Sequence, residues 1–171
     1  MAAALGAALR WGRDALELLA VGVLIERTFW HSLRAALQPY GVVRRVEDMT
    51  TAGLPDLIYC FNGHAGWIEL KALKAWPARP LTKVNIPSLT ADQVLFLETW
   101  ERHGGTAWLG LQVGRWWGFV GPGVARTVFR RQCTALDLRV KAVLAGEGEI
   151  DGPGLIKLFT SAPGWRRNIG T

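Results

Sequence analysis

The sequence has only two cysteines, Cys60 and Cys133, and neither stands in a C-x-x-C or Cys/His arrangement. This scarcity excludes a disulfide framework and a zinc cluster of the usual spacing, so both thiols are expected to be reduced and to lie in or near the core. The three histidines are isolated and lack a metal-ligand spacing such as H-E-x-x-H. Each is therefore expected to pack in the protein or to face solvent.

Long hydrophobic runs are also missing. The uncharged run LLAVGVLI, residues 18–25, lies between two glutamates and is far shorter than the ~20 residues that a membrane-spanning helix needs. The first arginines follow the N-terminal apolar stretch, which is the reverse of a secretory signal. The sequence predicts a cytoplasmic protein without a membrane partner.

The residues that are present describe a folded globule. Half of the 171 residues are hydrophobic and nine are tryptophan, and the length suits a single domain, residues 1–171. Lys and Arg exceed Asp and Glu by 20 to 14. That excess is compatible with an acidic partner such as nucleic acid, although many basic proteins bind nothing acidic.

Hydrophobic periodicity and turn residues predict an α/β order of elements. Asn62-Gly63 between two β-prone runs indicates a hairpin with a type I′ turn, and Thr90 with Gln93 forms a capping-box pattern. The predicted elements are a long helix at 14–37, strands at 41–48, 56–61 and 66–72, an irregular loop at 73–89, a helix at 90–105, strands at 106–113 and 115–120, short helices at 124–132 and 135–145, a loop at 146–154 and a strand at 155–161.

The predicted hairpin brings charged groups together inside an apolar segment. A turn at Asn62-Gly63 places Asp56 opposite Glu69, whereas a turn at Gly63-His64 would place it opposite Lys71. All three side chains share one face in either register, because side chains alternate along a strand. Opposed carboxylates destabilise a sheet unless something compensates, and a divalent cation is the simplest candidate. A structural ion pair of Lys71 with either carboxylate is the alternative.

These residues resemble a known family. GLPD at 53–56 and IELK at 68–71, preceded by a helix and followed by a helix and a strand, are similar to the PD-(D/E)XK nuclease superfamily. The likeness is greatest to its VRR-NUC and Holliday-junction-resolvase-like phage and archaeal branch. It implies a restriction-endonuclease-like core at about 14–120, in which a mixed central sheet contains the catalytic hairpin, and a small C-terminal α/β extension at about 121–171.

The resemblance also implies a function. The protein would be a Mg²⁺-dependent DNA endonuclease, with Mn²⁺ as a substitute, acting on branched or structured DNA in phage-like replication, recombination or repair, and hence inside a bacterial host cell. Asp56, Glu69 and the Leu70 carbonyl would bind the metal and Lys71 would be catalytic. Glu26 would complete the site, with Glu47 in reserve. An exposed Glu26 paired with a neighbouring arginine is the alternative.

Several further residues have two interpretations each. Gln93 would support the site or only cap its helix. Other cations would contact DNA or simply face solvent: Lys74, Arg79, Lys83, Arg126, Arg130 and Arg131. The first helix is apolar on more than one stripe, which either a homodimer or residues 122–171 would cover. The competing function is a non-catalytic nucleic-acid-binding or virion-associated protein that keeps the nuclease fold.

Overall fold

The computed structural model describes residues 24–46 and 52–161, which form one mixed sheet with helices on both faces. The predicted α/β class is confirmed. The six strands lie side by side in chain order: β1 (Val42–Arg45), β2 (Leu57–Phe61), β3 (His64–Leu73), β4 (Thr106–Val113), β5 (Trp116–Val120) and β6 (Leu144–Glu147). The helices are α1 (24–37), α2 (Ala91–Arg102), α3 (Pro122–Phe129), α4 (Ala135–Lys141) and α5 (Gly152–Ser161).

The β2–β3 hairpin turns at the two residues that the sequence indicates. Asn62 and Gly63 both have positive φ, 49° and 80°, as a type I′ turn requires. Phe61 pairs with His64 and Ile58 with Trp67. The Asn62-Gly63 register is confirmed, and the alternative register at Gly63-His64 is excluded.

β3 and β4 are the only parallel neighbours in the sheet of the described residues, and the chain connects them through the irregular loop and α2. The α2 helix begins with the predicted capping box, in which the Thr90 hydroxyl and the Gln93 side chain each accept from the other residue's backbone N–H. This crossover leaves β3 in the interior of the sheet, with β2 antiparallel on its other side.

The two faces of the sheet carry separate cores. Against α1 and α5 lies an aromatic cluster that includes Phe29, Tyr59, Phe61, Phe119 and Phe159. Against α2, α3 and α4 lies a mainly aliphatic cluster that includes Val94, Leu97, Leu109, Leu111 and Leu138. Trp117 joins the first cluster and its neighbour Trp116 the second, as alternation along β5 predicts.

The C-terminal predictions were partly wrong. Residues 155–161 belong to α5 and not to a strand, because the buried residues Gly152, Leu155 and Phe159 recur at helical spacing and bring Phe159 onto Tyr59 at 4.7 Å between ring centroids. The helix predicted at 135–145 ends at Lys141, and β6 occupies its predicted last residues and the start of the predicted loop, where it extends the sheet beyond β5. Cys60 is exposed and not near-core, because it alternates with the buried Tyr59 and Phe61.

Two predicted features fall outside the described residues: the start of the first helix near Asp14, with most of its second apolar stripe, and Glu47. Within the described ranges, the helices are all too short or too polar to cross a membrane.

Candidate active site

The second half of β3 loses its neighbour on one side. The pairing with β2 ends at Leu57 and Ile68, whereas the pairing with β4 continues to Leu73 and Val113. On the β2 side, no strand of the described residues therefore lies beside β3 at Leu70. This opening lies within the sheet, at the two arms of the hairpin that the sequence indicates.

Asp56 occupies this opening. Its Oδ2 accepts a hydrogen bond from the Leu70 N–H at 2.8 Å, and its backbone carbonyl accepts from Val46 N–H at 2.8 Å. The first bond satisfies a strand N–H that would otherwise lack a partner. In a strand the N–H and C=O of one residue point to the same side. The Leu70 carbonyl therefore points toward the opening that holds the Asp56 carboxylate.

Glu69 and Lys71 are buried on either side of Leu70. They are 0% and 4% exposed, and the Lys71 Nζ donates to Glu69 Oε1. Their partners across the parallel ladder are Leu109 and Leu111, which belong to the aliphatic core. The other carboxylate oxygen, Glu69 Oε2, is buried and has no hydrogen-bond donor within the described part of the chain.

The electrostatics of this group favour bound protons. Burial raises the pKa of Glu69 to about 8, and the nearby Asp56 charge adds to the shift, while Lys71 opposes it. Burial would lower the pKa of Lys71, but the charges of Glu69 and Asp56 outweigh it, and the net direction is upward. The Glu69 shift arises first from burial and then from the neighbouring negative charge, and a bound cation would replace the proton that Glu69 holds.

Glu26 reaches this cluster from α1. Burial raises the pKa of Glu26; the positive charges of Lys71 and Arg45 oppose the shift and the negative charge of Asp56 adds to it. Glu26 thus lies within the electrostatic range of the hairpin residues, although it comes from a distant part of the sequence. Its role as a ligand stays a prediction, because the described residues contain no group of three or more Asp, Glu, His or Cys side chains that converge on one metal position.

The carboxylates of the hairpin fit a hard cation. Asp56 and Glu69 would provide two carboxylate ligands, and the Leu70 carbonyl points to the same opening. Mg²⁺ is commonly bound by one or two carboxylates, with waters and substrate phosphates as its remaining ligands. The buried Glu69 Oε2 without a donor is the atom that such a cation would satisfy.

The remaining predicted residues lie outside this cluster. The Gln93 amide oxygen accepts from Thr90 N–H at 3.0 Å and so is committed to the helix cap. Arg126 forms an ion pair with Glu98. The other predicted DNA contacts are exposed, and the structure places none of them in a hydrogen bond to the hairpin carboxylates: Lys74, Arg79, Lys83, Arg130 and Arg131.

Sequence reasoning missed a group of arginines beside the site. Arg27, Arg34, Arg44 and Arg45 line one groove between α1 and β1. The spacing of Arg27, His31 and Arg34 places the three on one stripe of a helix, and this was the available signal. It was obscured because the two elements are separated in the sequence by the turn at residues 38–41.

Comparison with known proteins gives one result of note. No protein-family model and no curated protein matches the chain. Among solved structures, the chain is similar to Hjc, a Holliday junction resolvase from the hyperthermophilic archaeon Archaeoglobus fulgidus. The identity is 26%, the match covers 60% of this chain and 78% of that chain, and the TM-score is 0.41.

Proposed function

We propose that this protein is a divalent-metal-dependent DNA endonuclease that hydrolyses phosphodiester bonds. The observation that carries the proposal is the buried Glu69 carboxylate, whose Oε2 has no donor in the described residues, beside Asp56 at an opening of the sheet. A carboxylate placed this way is costly unless a ligand compensates. Asp56 belongs to the GLPD motif and Glu69 to the IELK motif. The resemblance of these motifs to the PD-(D/E)XK superfamily supports the same chemistry.

Asp56, Glu69 and the Leu70 carbonyl would hold Mg²⁺, with Mn²⁺ as a substitute, and Glu26 would add negative charge beside them. Such a cation, when bound, lowers the pKa of water and neutralises charge on a phosphate. The chain's own contribution is to hold two carboxylates at fixed positions. Asp56 is fixed by Leu70 N–H, and Glu69 is fixed by Lys71.

Lys71 keeps a positive charge next to the reacting phosphate in this proposal. Its raised pKa means that the ammonium stays protonated at neutral pH, so it can donate to a phosphate oxygen or orient the attacking water. Its position is fixed because Glu69 Oε1 accepts from it and because only 4% of the residue is exposed. In a buried site this charge acts more strongly than it would in water.

A purely structural ion pair is the competing explanation for Lys71 and Glu69. A buried ion pair is seldom more stable than apolar residues of the same volume, and one that leaves a carboxylate oxygen without a donor is less favourable still. The presence of Asp56 and Glu26 within electrostatic range adds repulsion that a structural pair does not need. The site therefore fits a functional requirement better than a structural one.

We further propose branched or structured DNA as the substrate, in a phage-like replication, recombination or repair setting, because the motifs resemble the resolvase-like branch. A homodimer would supply two active sites related by a two-fold axis, which suits a symmetric junction. The second candidate function, a non-catalytic nucleic-acid-binding or virion-associated protein, would require that the hairpin residues have lost their role. Light scattering at micromolar concentration tests the dimer, since a monomer has a mass of 18.8 kDa.

The experiment for the proposed function is a cleavage panel. The full chain is incubated with labelled linear, nicked, flap and four-way DNA in Mg²⁺, in Mn²⁺ or in EDTA. We expect metal-dependent cleavage by the wild type, with the four-way or flap DNA cut fastest, and none by Asp56→Asn or Glu69→Gln. Binding of these DNAs without cleavage in either metal would favour the non-catalytic alternative. Equal cleavage in EDTA would exclude the metal-dependent reaction.

A further inference from the structure

A groove between α1 and β1 is rich in arginine. It has a volume of about 520 Å³, and Arg27, Arg34, Arg44 and Arg45 line it together with Trp30. The sequence did not indicate any of these arginines as a DNA contact, and they are separate from the hairpin residues Asp56, Glu69 and Lys71.

The local structure explains why these arginines line one groove. On α1 the buried side chains Phe29, Leu33 and Leu37 pack into the aromatic core, which directs Arg27 and Arg34 to the outer stripe of the helix. β1 is the edge strand of the sheet and supplies Arg44 and Arg45 from the other side. The groove wall is thus formed by two elements that the core holds in fixed positions.

The groove arginines form no ion pair within the part of the chain that the structure describes. The ion pairs found there are Lys71 with Glu69, Arg126 with Glu98 and Arg139 with Glu147. None involves a groove arginine. Placing four like charges around one groove is unfavourable in the isolated protein, and an anionic ligand would offset that cost. Arginine is also the side chain best suited to phosphate, because its planar fork donates two parallel hydrogen bonds.

The groove begins next to the candidate active site. Arg27 directly follows Glu26 on α1, and Arg45 lies close enough to Glu26 for its charge to oppose the burial-driven rise in the pKa of that carboxyl. From Arg27 to Arg34 the helix advances about 10 Å, at ~1.5 Å per residue, which corresponds to roughly three phosphates of one strand when their spacing of ~3.4 Å is measured along the axis of duplex DNA. The arginine stripe thus has the length of a short run of backbone phosphates.

We infer that this groove binds the sugar-phosphate backbone of the DNA strand on one side of the phosphate that is cut. The inference rests on the proposed function for the identity of the ligand, but it concerns binding and not hydrolysis. Backbone contacts of this kind fix the register of the nucleic acid without reading its sequence. The groove would therefore hold the strand while the hairpin residues act on the adjacent phosphate.

The test measures DNA binding in EDTA, where no metal-dependent cleavage occurs. Fluorescence anisotropy with labelled duplex and four-way DNA is recorded for the wild type and Arg27→Gln/Arg34→Gln across a series of salt concentrations. The matched control is Arg102→Gln/Arg115→Gln, which removes two exposed arginines from α2 and the β4–β5 turn and has the same net charge. All four positions are exposed, and circular dichroism confirms that each variant is folded.

We expect the groove variant to bind DNA roughly tenfold more weakly than the control variant, because two charge-assisted contacts to phosphate are lost. The slope of log K against log salt should fall by about 1.8, since each neutralised phosphate contributes roughly 0.9. An equal loss in both variants would overturn the inference, because net charge alone would explain it. A wild type that binds no DNA would also overturn it.

Two competition experiments distinguish DNA from other anionic ligands of the groove. Polyglutamate that competes as well as duplex DNA at equal charge would indicate an acidic protein partner and overturn the assignment to DNA. Inorganic phosphate that competes at low millimolar concentration would indicate a site for the free anion and would do the same. If the wild type binds DNA through this groove but cleaves nothing in Mg²⁺ or Mn²⁺, the proposed hydrolysis fails while the groove assignment stands.

Discussion

The two halves of β3 differ in their strand pairing and in the charge that they bury, although they belong to one continuous strand. From His64 to Ile68 the strand is paired with β2, and from Gly66 onward it is also paired with β4. Trp67 packs edge-on against Phe96 and Trp100 of α2. From Glu69 to Leu73 it is paired as a strand on one side only. There it buries an amine and a carboxylate that has an unpartnered oxygen.

The difference shows that the second half of β3 is the less stable arrangement. The first half satisfies its backbone groups through the ladder and buries apolar side chains, as a central strand usually does. The second half replaces a ladder partner by the Asp56 side chain and concentrates negative charge. Buried charges concentrated in one half of a strand are typical of functional sites, because local rules are broken there for a purpose. Changes in the second half are therefore expected to affect mainly cleavage, and changes in the first half mainly the free energy of unfolding.

The largest expected effect is on cleavage by variants of the second half. Asp56→Asn, Glu69→Gln and Lys71→Met should each lower the cleavage rate by about 10²-fold to 10³-fold or more, since each removes charge that acts in the transition state. Lys71→Arg should not restore the rate, because a planar guanidinium does not replace a compact ammonium. Single-turnover cleavage of labelled DNA in Mg²⁺ measures these rates. Near-normal cleavage by Lys71→Met would remove that residue from the mechanism.

The reciprocal effect is expected in the first half. Ile68→Ala should lower the free energy of unfolding by about 2–5 kcal/mol, because Ile68 is fully buried in the aromatic core. Its cleavage rate should stay close to that of the wild type at temperatures where it is folded. Denaturant unfolding and the same cleavage assay provide the two readings. A loss of activity in folded Ile68→Ala as large as that of Glu69→Gln would abolish the distinction between the halves.

The stability of the metal-free protein should depend on pH through Glu69. Its pKa is about 8 in the folded protein and 4.5 ordinarily, so between these values the folded state holds a proton that the unfolded state has released. Stability is therefore fully present below pH 4.5 and is lost as the pH rises through 8. Glu69→Gln imitates the protonated form. It should match the wild type near pH 4, exceed it progressively as the pH rises between these two values, and exceed it above pH 8 by roughly 2–4 kcal/mol.

Thermal melts in EDTA at several pH values measure this difference. The shift in melting temperature should be a few degrees per kcal/mol for a chain of this size. In the wild type the charge of Glu69 helps to raise the pKa of Lys71 against the effect of burial, so the lysine stays charged in this range. A Glu69→Gln variant that is less stable than the wild type at every pH would indicate that the ion pair with Lys71 is structural.

The smallest expected effect separates the charge of Asp56 from its hydrogen bond. Asp56→Asn keeps an oxygen that can accept from Leu70 N–H, whereas Asp56→Ala leaves that half-buried donor without a partner. Asp56→Ala should therefore be about 1 kcal/mol less stable than Asp56→Asn. Denaturant unfolding in EDTA compares the two. Identical stabilities would mean that water replaces the side chain and that the bond contributes nothing to the fold.

The sequence predicted the hairpin well because its signals were local. Asn62-Gly63 sets the turn, the alternation of β2 and β3 sets the register, and these two facts place Asp56, Glu69 and Lys71 together. The capping box of α2 was equally readable, since both of its members lie within four residues.

The features that the sequence did not predict depend on distant contacts. The pattern of residues 155–161 is compatible with a strand or with a helix, and the packing of Phe159 on Tyr59 favours the helix. The end of the β2 pairing at Ile68 follows from the path of the chain before Asp56, which no local pattern specifies. The arginine groove requires α1 and β1 to be adjacent, and only the folded sheet makes them so.

The most direct test of the central account is calorimetric titration of the metal-free protein with Mn²⁺ at pH 8, without DNA, in two buffers of different ionisation enthalpy. We predict one saturable site in the wild type and in Lys71→Met, protons released on binding to the wild type, and no such site in Glu69→Gln. Proton release is expected because the cation displaces protons held by the cluster. If Glu69→Gln bound Mn²⁺ as the wild type does, or if the wild type bound none, the second half of β3 would not be a metal site.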